Sequence, residues 1–332
     1  MTEAYRIFGS EMSPYSVKVR SWFRFKGLPH TWLPRNAETL PEYQKHAKLP
    51  LIPLVITPEG EGLQDSTPII ERLEQRHPQP SIHPTDPVTR FISELLEEFG
   101  DEWGNKWMFH FRWAREVDRQ SAAGRIARGM QPDADEVQHA ALRDQIRERM
   151  VGRVWFVGSN ETTAPLIEAS FREAITVLDR HLASRPYLLG ARPSFGDFGL
   201  WGQLYAAWTD PTAGALIEGS ARHLLDWIHR MLWPRVEGEL EPWDALEPTL
   251  LPLLADQVGS RFLPWTRANA RAVAEQQEEF SVELRGERWV QKPQKYHARS
   301  FEALREKYRA LAEREEVDAV LQRAGCLEAL RD

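Results

Sequence analysis

The chain has 332 residues, 42% of them hydrophobic and 27% charged, which is material for about two packed domains and argues against a disordered or low-complexity protein. Its 42 basic residues stand against 49 acidic ones, a formal charge of −7 that disfavours gripping a nucleic-acid backbone. The one cysteine, Cys326, excludes an intramolecular disulfide, a CxxC redox pair and a zinc–cysteine motif, and fits a reducing, cytoplasmic compartment.

The start, Met1 to Ile7, carries an early acid and no long apolar run, so no signal peptide is expected. Ala4 to Phe8 reads as a strand ending at Gly9-Ser10. From Pro14 a helical pattern carries Val17, Val19, Trp22, Phe23 and Phe25 and stops at Gly27. His30 to Leu33 offers a second strand, Leu40 to Lys48 a short helix, and Leu51 to Ile56 a strand interrupted by Pro53. After the turn residues Pro58 to Gly62, Leu63-Gln64 begins a last strand. Asp65-Ser66-Thr67-Pro68 then opens a helix that buries Ile69, Ile70 and Leu73. The order is βαβαββα.

His77 to Pro87 holds four prolines in eleven residues and reads as a domain boundary. Helical periodicity dominates beyond it, over 88–119, 135–150, 164–184, 194–208 and 221–233. A proline-broken stretch follows over 234–252. Helical spacing then returns in Phe301, Leu304, Tyr308 and Leu311. The apolar runs at 49–56 and 250–254 are short and contain proline, so no membrane span is expected.

Three fragments hold chemistry. Ser13 precedes Pro14 at the N-cap of the first helix, where the dipole favours an anion and a hydroxyl can donate to a thiolate, which lowers the thiol pKa. Pro53 inside an apolar strand suggests a cis peptide that presents the Ile52 backbone for pairing with a peptide ligand. In Gln64-Asp65-Ser66-Thr67, a serine at a helix start can take a carboxylate, and the adjacent acid an ammonium. Each also has a plain structural reading, as a helix cap or an edge-strand proline.

Taken in order, the three resemble the N-terminal, thioredoxin-like domain of cytosolic glutathione S-transferases. The run Ser13 to Arg20 is most similar to the serine-type tau and zeta classes. The resemblance implies a four-stranded mixed sheet followed by an all-helical domain. It implies that Ser13 faces the glutathione sulfur, that Ile52 and Pro53 supply backbone pairing, and that Asp65 with Ser66 holds the γ-glutamyl end. Serine at 13 and at 16, where a thioredoxin-type loop has cysteines, excludes disulfide exchange there. Pro193-Ser194-Phe195-Gly196-Asp197 resembles the capping box of the family's helical domain and reads as structural.

Residues 1–77 are therefore expected to form the glutathione-binding domain, 78–87 a linker and 88–233 the helical domain. Residues 234–332 are expected to form a helical extension packed on that domain. Ala47-Lys48 stands where many members have Asn-Pro, and Lys45 or Lys48 is the candidate partner of the glycine carboxylate. The resemblance places an acceptor pocket between the domains, here with Tyr15, Trp103, Trp107 and Phe111, although an aromatic stripe at helical spacing also fits a core. His110 and Arg112 lie on the same stretch. No metal is expected, since the histidines show no ligand spacing. The implied activity is glutathione conjugation to a hydrophobic electrophile by a cytoplasmic homodimer acting in detoxification, with no nucleic acid or membrane as partner. The alternatives are another glutathione enzyme, such as an isomerase or peroxidase, and a non-enzymatic binding or assembly module.

Overall fold

The computed structural model describes residues 4–331; Met1 to Glu3 of the N-terminal reading and Asp332 of the extension lie outside them. Strand β1 (Tyr5–Gly9) leads through α1 (Pro14–Phe25) to β2 (His30–Pro34), then through α2 (Leu40–His46) to β3 (Leu54–Ile56), β4 (Gly62–Gln64) and α3 (Ser66–Arg76). The strand order is β2-β1-β3-β4, with β1 parallel to β2 and antiparallel to β3, and β3 antiparallel to β4. This is the expected βαβαββα sheet. Its register pairs Phe8 with Leu54 and Leu54 with Gln64. The end of β1, the start of β3 and the end of β4 therefore share one edge of the sheet. The loops that carry Ser13, Ile52 and Asp65 all leave from that edge.

The helical part begins with α4 (Pro87–Phe99), which continues through a π-helical turn at Gly100–Gly104 into α5 (Asn105–Ala114). Then come α6 (Glu116–Met130), α7 (Glu136–Val151), α8 (Ala164–Leu182), α9 (Phe195–Trp208), α10 (Pro211–Ser220) and α11 (Arg222–Arg230). The single helix expected over 88–119 is thus divided, with a break at Arg115, whose backbone is extended (φ −115°, ψ 149°).

Helix α9 is apolar around most of its circumference and runs through the centre, as a fully buried helix must. Two glycine contacts let it lie so deep. A Cβ on Gly199 would meet the Glu97 carbonyl of α4 at 2.7 Å, and one on Gly202 would meet the Pro14 carbonyl of α1 at 2.7 Å. The second contact seats the start of α1, and with it Ser13, against the helical core.

Beyond α11 the chain forms α12 (Trp243–Leu253), a π-helical stretch (Leu254–Phe262), α13 (Leu263–Ala274), strands β5 (Phe280–Leu284) and β6 (Glu287–Gln291), and helices α14 (Lys295–Arg309), α15 (Glu315–Arg323) and α16 (Leu327–Arg331). The extension is therefore not wholly helical, as the sequence had suggested. Arg285 and Gly286 take positive φ (54° and 82°) and close an antiparallel hairpin. Nor does the extension touch the helical part alone. Lys307 of α14 bridges Glu94 of α4 and Glu71 of α3, at 2.7 and 2.6 Å. Among the described residues no helix is long and apolar enough to cross a membrane.

Candidate functional site at the sheet edge

Ser13 is the N-cap of α1, with extended backbone (φ −100°, ψ 112°). Its Oγ accepts the Ser16 N–H at 3.3 Å, which uses a lone pair and leaves the hydroxyl proton to be donated outward. Pro14 follows at the first helical position, where its missing N–H costs nothing. Arg112 of α5 donates to the Met12 carbonyl at 2.8 Å and so fixes the approach to Ser13. The same guanidinium binds Asp210 and the Ala206 carbonyl, so Arg112 is a structural tie. His110, bonded to Ser159 and Glu168, is likewise satisfied in the interior.

The Ile52–Pro53 peptide is cis. The loop before it is clamped by Gln64, whose amide oxygen accepts from Lys48 and Leu49 N–H (2.8 and 3.0 Å) and whose amide nitrogen donates to the Leu49 and Leu51 carbonyls (2.8 and 2.9 Å). The Tyr43 hydroxyl adds contacts to the same two carbonyls, at 2.8 and 2.6 Å. Neighbouring Ile52 is half-buried, and its backbone N–H and carbonyl take no partner among the described residues. Sequence reading gave Gln64 no functional role, although its place at the end of β4 beside Asp65 was visible. Lys45 and Lys48 are both exposed, on α2 and just after it.

Asp65 adopts φ 76°, ψ 125°, a conformation rare outside glycine that aspartate tolerates better than most residues. Its carboxylate makes no capping hydrogen bond to α3, so the first-turn N–H groups of Ser66 and Thr67 have no capping side chain. Backbone held in a sparsely populated region beside an uncapped helix start is a mark of a ligand site.

A buried polar seam lies directly beneath. Lys18 of α1 binds Glu97, Asp101 (2.6 Å) and Thr67 Oγ1 (3.0 Å). Ser66 Oγ lies 3.5 Å from the Asp101 carboxylate, and the Tyr15 hydroxyl donates to the Asp101 carbonyl at 3.1 Å. Burial, together with the negative charge of Glu97 and Glu102, pushes the Asp101 carboxyl up to about 7 against the opposing pull of Lys18. Burial likewise pushes Glu102 up to about 8; it pairs with His297 of α14 and has Lys106 nearby.

The aromatic residues expected in an acceptor pocket are placed differently. Trp103 and Trp107 are fully buried, and both indole N–H groups donate to Ser170 Oγ at 2.9 Å. Phe111 is fully buried against Phe171, with ring centroids 4.7 Å apart. The stripe packs inward, because its four-residue spacing puts these rings on the face that α8 covers. Only Tyr15 of that set reaches the seam below the sheet edge. Cys326 is buried too, and desolvation pushes its thiol up to about 12. No group of residues able to hold a metal occurs among the described residues.

Residues 7–81 match the description "Glutathione S-transferase, N-terminal domain" and residues 137–230 match "Glutathione S-transferase, C-terminal domain", together just over half of the chain. The chain belongs to the glutathione S-transferase family. The N-terminal match spans every residue of the sheet-edge site described so far, from Ser13 to Ser66, whereas the chain after Arg230 lies outside both matches.

Among solved structures, a tau-class glutathione S-transferase from mango is 19% identical over 70% of this chain and 89% of its own, with a TM-score of 0.38. The β-etherase LigF from Sphingobium is 16% identical over 70% of this chain and 95% of its own, at 0.45. A glutathione S-transferase from Methylobacterium radiotolerans, in complex with glutathione sulfonate, is 23% identical over 77% and 95%, at 0.36. No curated protein sequence matches the chain significantly. Membership of the glutathione S-transferase family supports a glutathione-dependent activity.

Proposed function

We propose that this chain is a serine-type glutathione transferase that joins the glutathione thiolate to a hydrophobic electrophile. The observation that carries the reading is the shared sheet edge. A hydroxyl at a helix N-cap, an unpartnered backbone beside a cis-proline and an uncapped helix start leave from neighbouring strand ends set by the Phe8–Leu54–Gln64 register. In this reading the γ-glutamyl carboxylate takes the N–H groups of Ser66 and Thr67, and its ammonium takes Asp65. Ile52 pairs with the cysteinyl backbone. Ser13 donates to the sulfur and holds it as thiolate, helped by the dipole of α1. The thiolate then forms a C–S bond to the electrophilic carbon, and the displaced group leaves with the bonding pair. Because Ser13 has no sulfur, it polarises the thiol without entering a disulfide. The same reading carries the expectation of a cytoplasmic homodimer acting in detoxification.

Ultraviolet difference titration of bound glutathione tests it. The wild type is expected to bring the thiol pKa from about 8.5 towards 7, and Ser13→Ala to restore the free value while still binding. A saturated wild type with no thiolate absorbance refutes the assignment of Ser13. The inward packing of Trp103, Trp107 and Phe111 favours one second reading, a glutathione-binding protein that does not conjugate. It predicts binding with no turnover on any hydrophobic electrophile.

A further inference from the structure

Asp65 has one side-chain hydrogen-bond partner among the described residues, and it comes from 231 positions away: the Tyr296 hydroxyl, 3.3 and 3.4 Å from the two carboxylate oxygens. Tyr296 stands in the first turn of α14, in the part of the chain outside both family matches. We propose that Tyr296 is a positioning residue of the glutathione site, fixing the Asp65 carboxylate in the orientation that receives the γ-glutamyl ammonium. The inference rests on the proposed role of Asp65.

Three observations support it. The first is that no other side chain hydrogen-bonds the Asp65 carboxylate among the described residues: its positive φ turns it out of the usual capping position, and no cap bond to α3 holds it. The second is that Tyr296 is held on a fixed platform. The next residue, His297, pairs with Glu102 and packs edge-on against Trp265 at 5.0 Å. Ser300 donates to Glu98, and Lys307 joins Glu94 and Glu71. A helix pinned at both ends to α4, and at one of them also to α3, delivers its hydroxyl to a set place.

The third is the character of the contact. Tyr296 is 48% exposed, so its ring contributes little to a core, whereas its hydroxyl meets a charged group at the rim of the site. Desolvation of that hydroxyl and the negative charge of Glu102 and Asp65 keep the phenol protonated, hence a donor throughout the neutral range. A carboxylate has about four lone-pair directions, so one neutral donor orients it and leaves room for the ammonium.

The test is isothermal titration of the full chain as wild type, Tyr296→Phe, Asp65→Asn and the double variant. Each receives glutathione and, separately, glutaryl-cysteinyl-glycine, which is the same peptide without the α-ammonium. Tyr296→Phe is expected to weaken glutathione binding about fivefold, the size of one net hydrogen bond, with an unchanged thermal midpoint. It is expected to leave the glutaryl peptide unaffected and to cost nothing further in the Asp65→Asn background, since the two residues then act as one unit.

Equal weakening for both peptides, or additive losses in the double variant, assigns Tyr296 to general structure and overturns the inference. Unchanged glutathione binding overturns it as well, and tighter binding would show that the tyrosine obstructs the site. A wild type that binds neither peptide overturns the reading of Asp65 itself, and this is seen before any variant is made.

Discussion

Two helix starts in this molecule use the same residue types to opposite ends. At α9, Asp197 is buried and its carboxylate accepts from Ser194 N–H (2.8 Å), Ser194 Oγ (2.7 Å), Leu188 N–H (2.9 Å) and Trp227 Nε1 (2.9 Å). At α3, Asp65 is exposed, sits at positive φ and caps nothing. The first site has consumed its hydrogen-bonding capacity and holds the fold together. The second has kept capacity in reserve, which is what a ligand site requires. The sequence offered a helix cap as a plain reading of both, and it was the resemblance to the family that set Asp65 and Ser66 apart as ligand-binding.

The sharpest way to break this contrast is Asp197→Ala. It leaves four donors without their acceptor, all of them in the interior, and each orphaned group carries its own desolvation cost. The variant is expected to lose about 3–5 kcal/mol of unfolding free energy, measured by denaturant titration. A variant of wild-type stability that had lost activity would move Asp197 from the structural to the functional side.

At α3 the opposite split is expected. Asp65→Asn keeps a side chain that tolerates positive φ, which alanine does not. It should weaken glutathione binding about 10- to 100-fold, the worth of a charged hydrogen bond, while the unfolding free energy moves by less than about 1 kcal/mol. Loss of stability without loss of affinity would make the two helix starts alike.

Legibility follows the range of the interactions. The βαβαββα order could be read because its boundaries are local: Gly9-Ser10 and Gly27 end elements, Pro14 and Pro68 open them, and the apolar runs are short. The candidate residues 13, 52–53 and 65–66 were nameable for the same reason. The aromatic stripe was misplaced because a four-residue spacing says that Trp103, Trp107 and Phe111 share a face, not whether that face meets a cleft or α8.

The π-helical turn at Gly100–Gly104 adds a residue to the turn and escapes a 3.6-residue pattern. The β5–β6 hairpin did leave a signal, alternating residues on either side of Arg285-Gly286, which the charged surroundings masked. Tyr296 left none, since its contact with Asp65 spans most of the chain.

The smallest expected effect concerns the seam that lies between the two helix starts. Asp101 titrates near 7 in the folded chain, well above the ordinary aspartate value of about 3.9. Between those values the folded state holds a proton that the unfolded state has released, so the Asp101 contribution to stability falls as pH rises through the window and levels off above about 7. Glu98 and Glu102, also raised by burial, act with the same sign, whereas His297 and Lys106, whose charged forms burial disfavours, act with the opposite sign, because the unfolded chain binds their protons more readily. Raw stability curves therefore mix the contributions.

Subtraction isolates Asp101 and its coupling to the neighbouring acids, because the other groups are present in both wild type and Asp101→Asn. The wild type should lose stability relative to the variant by about 1.4 kcal/mol between pH 5.5 and 6.5, the slope of one proton per pH unit, and show little further change above pH 7.5. Parallel curves across this range would mean that Asp101 is ionised throughout and that Lys18 neutralises both of its acids. The seam under α3 would then be as closed as the capping network of Asp197, and the reserve of hydrogen-bonding capacity would be confined to Asp65 and the open first turn above it.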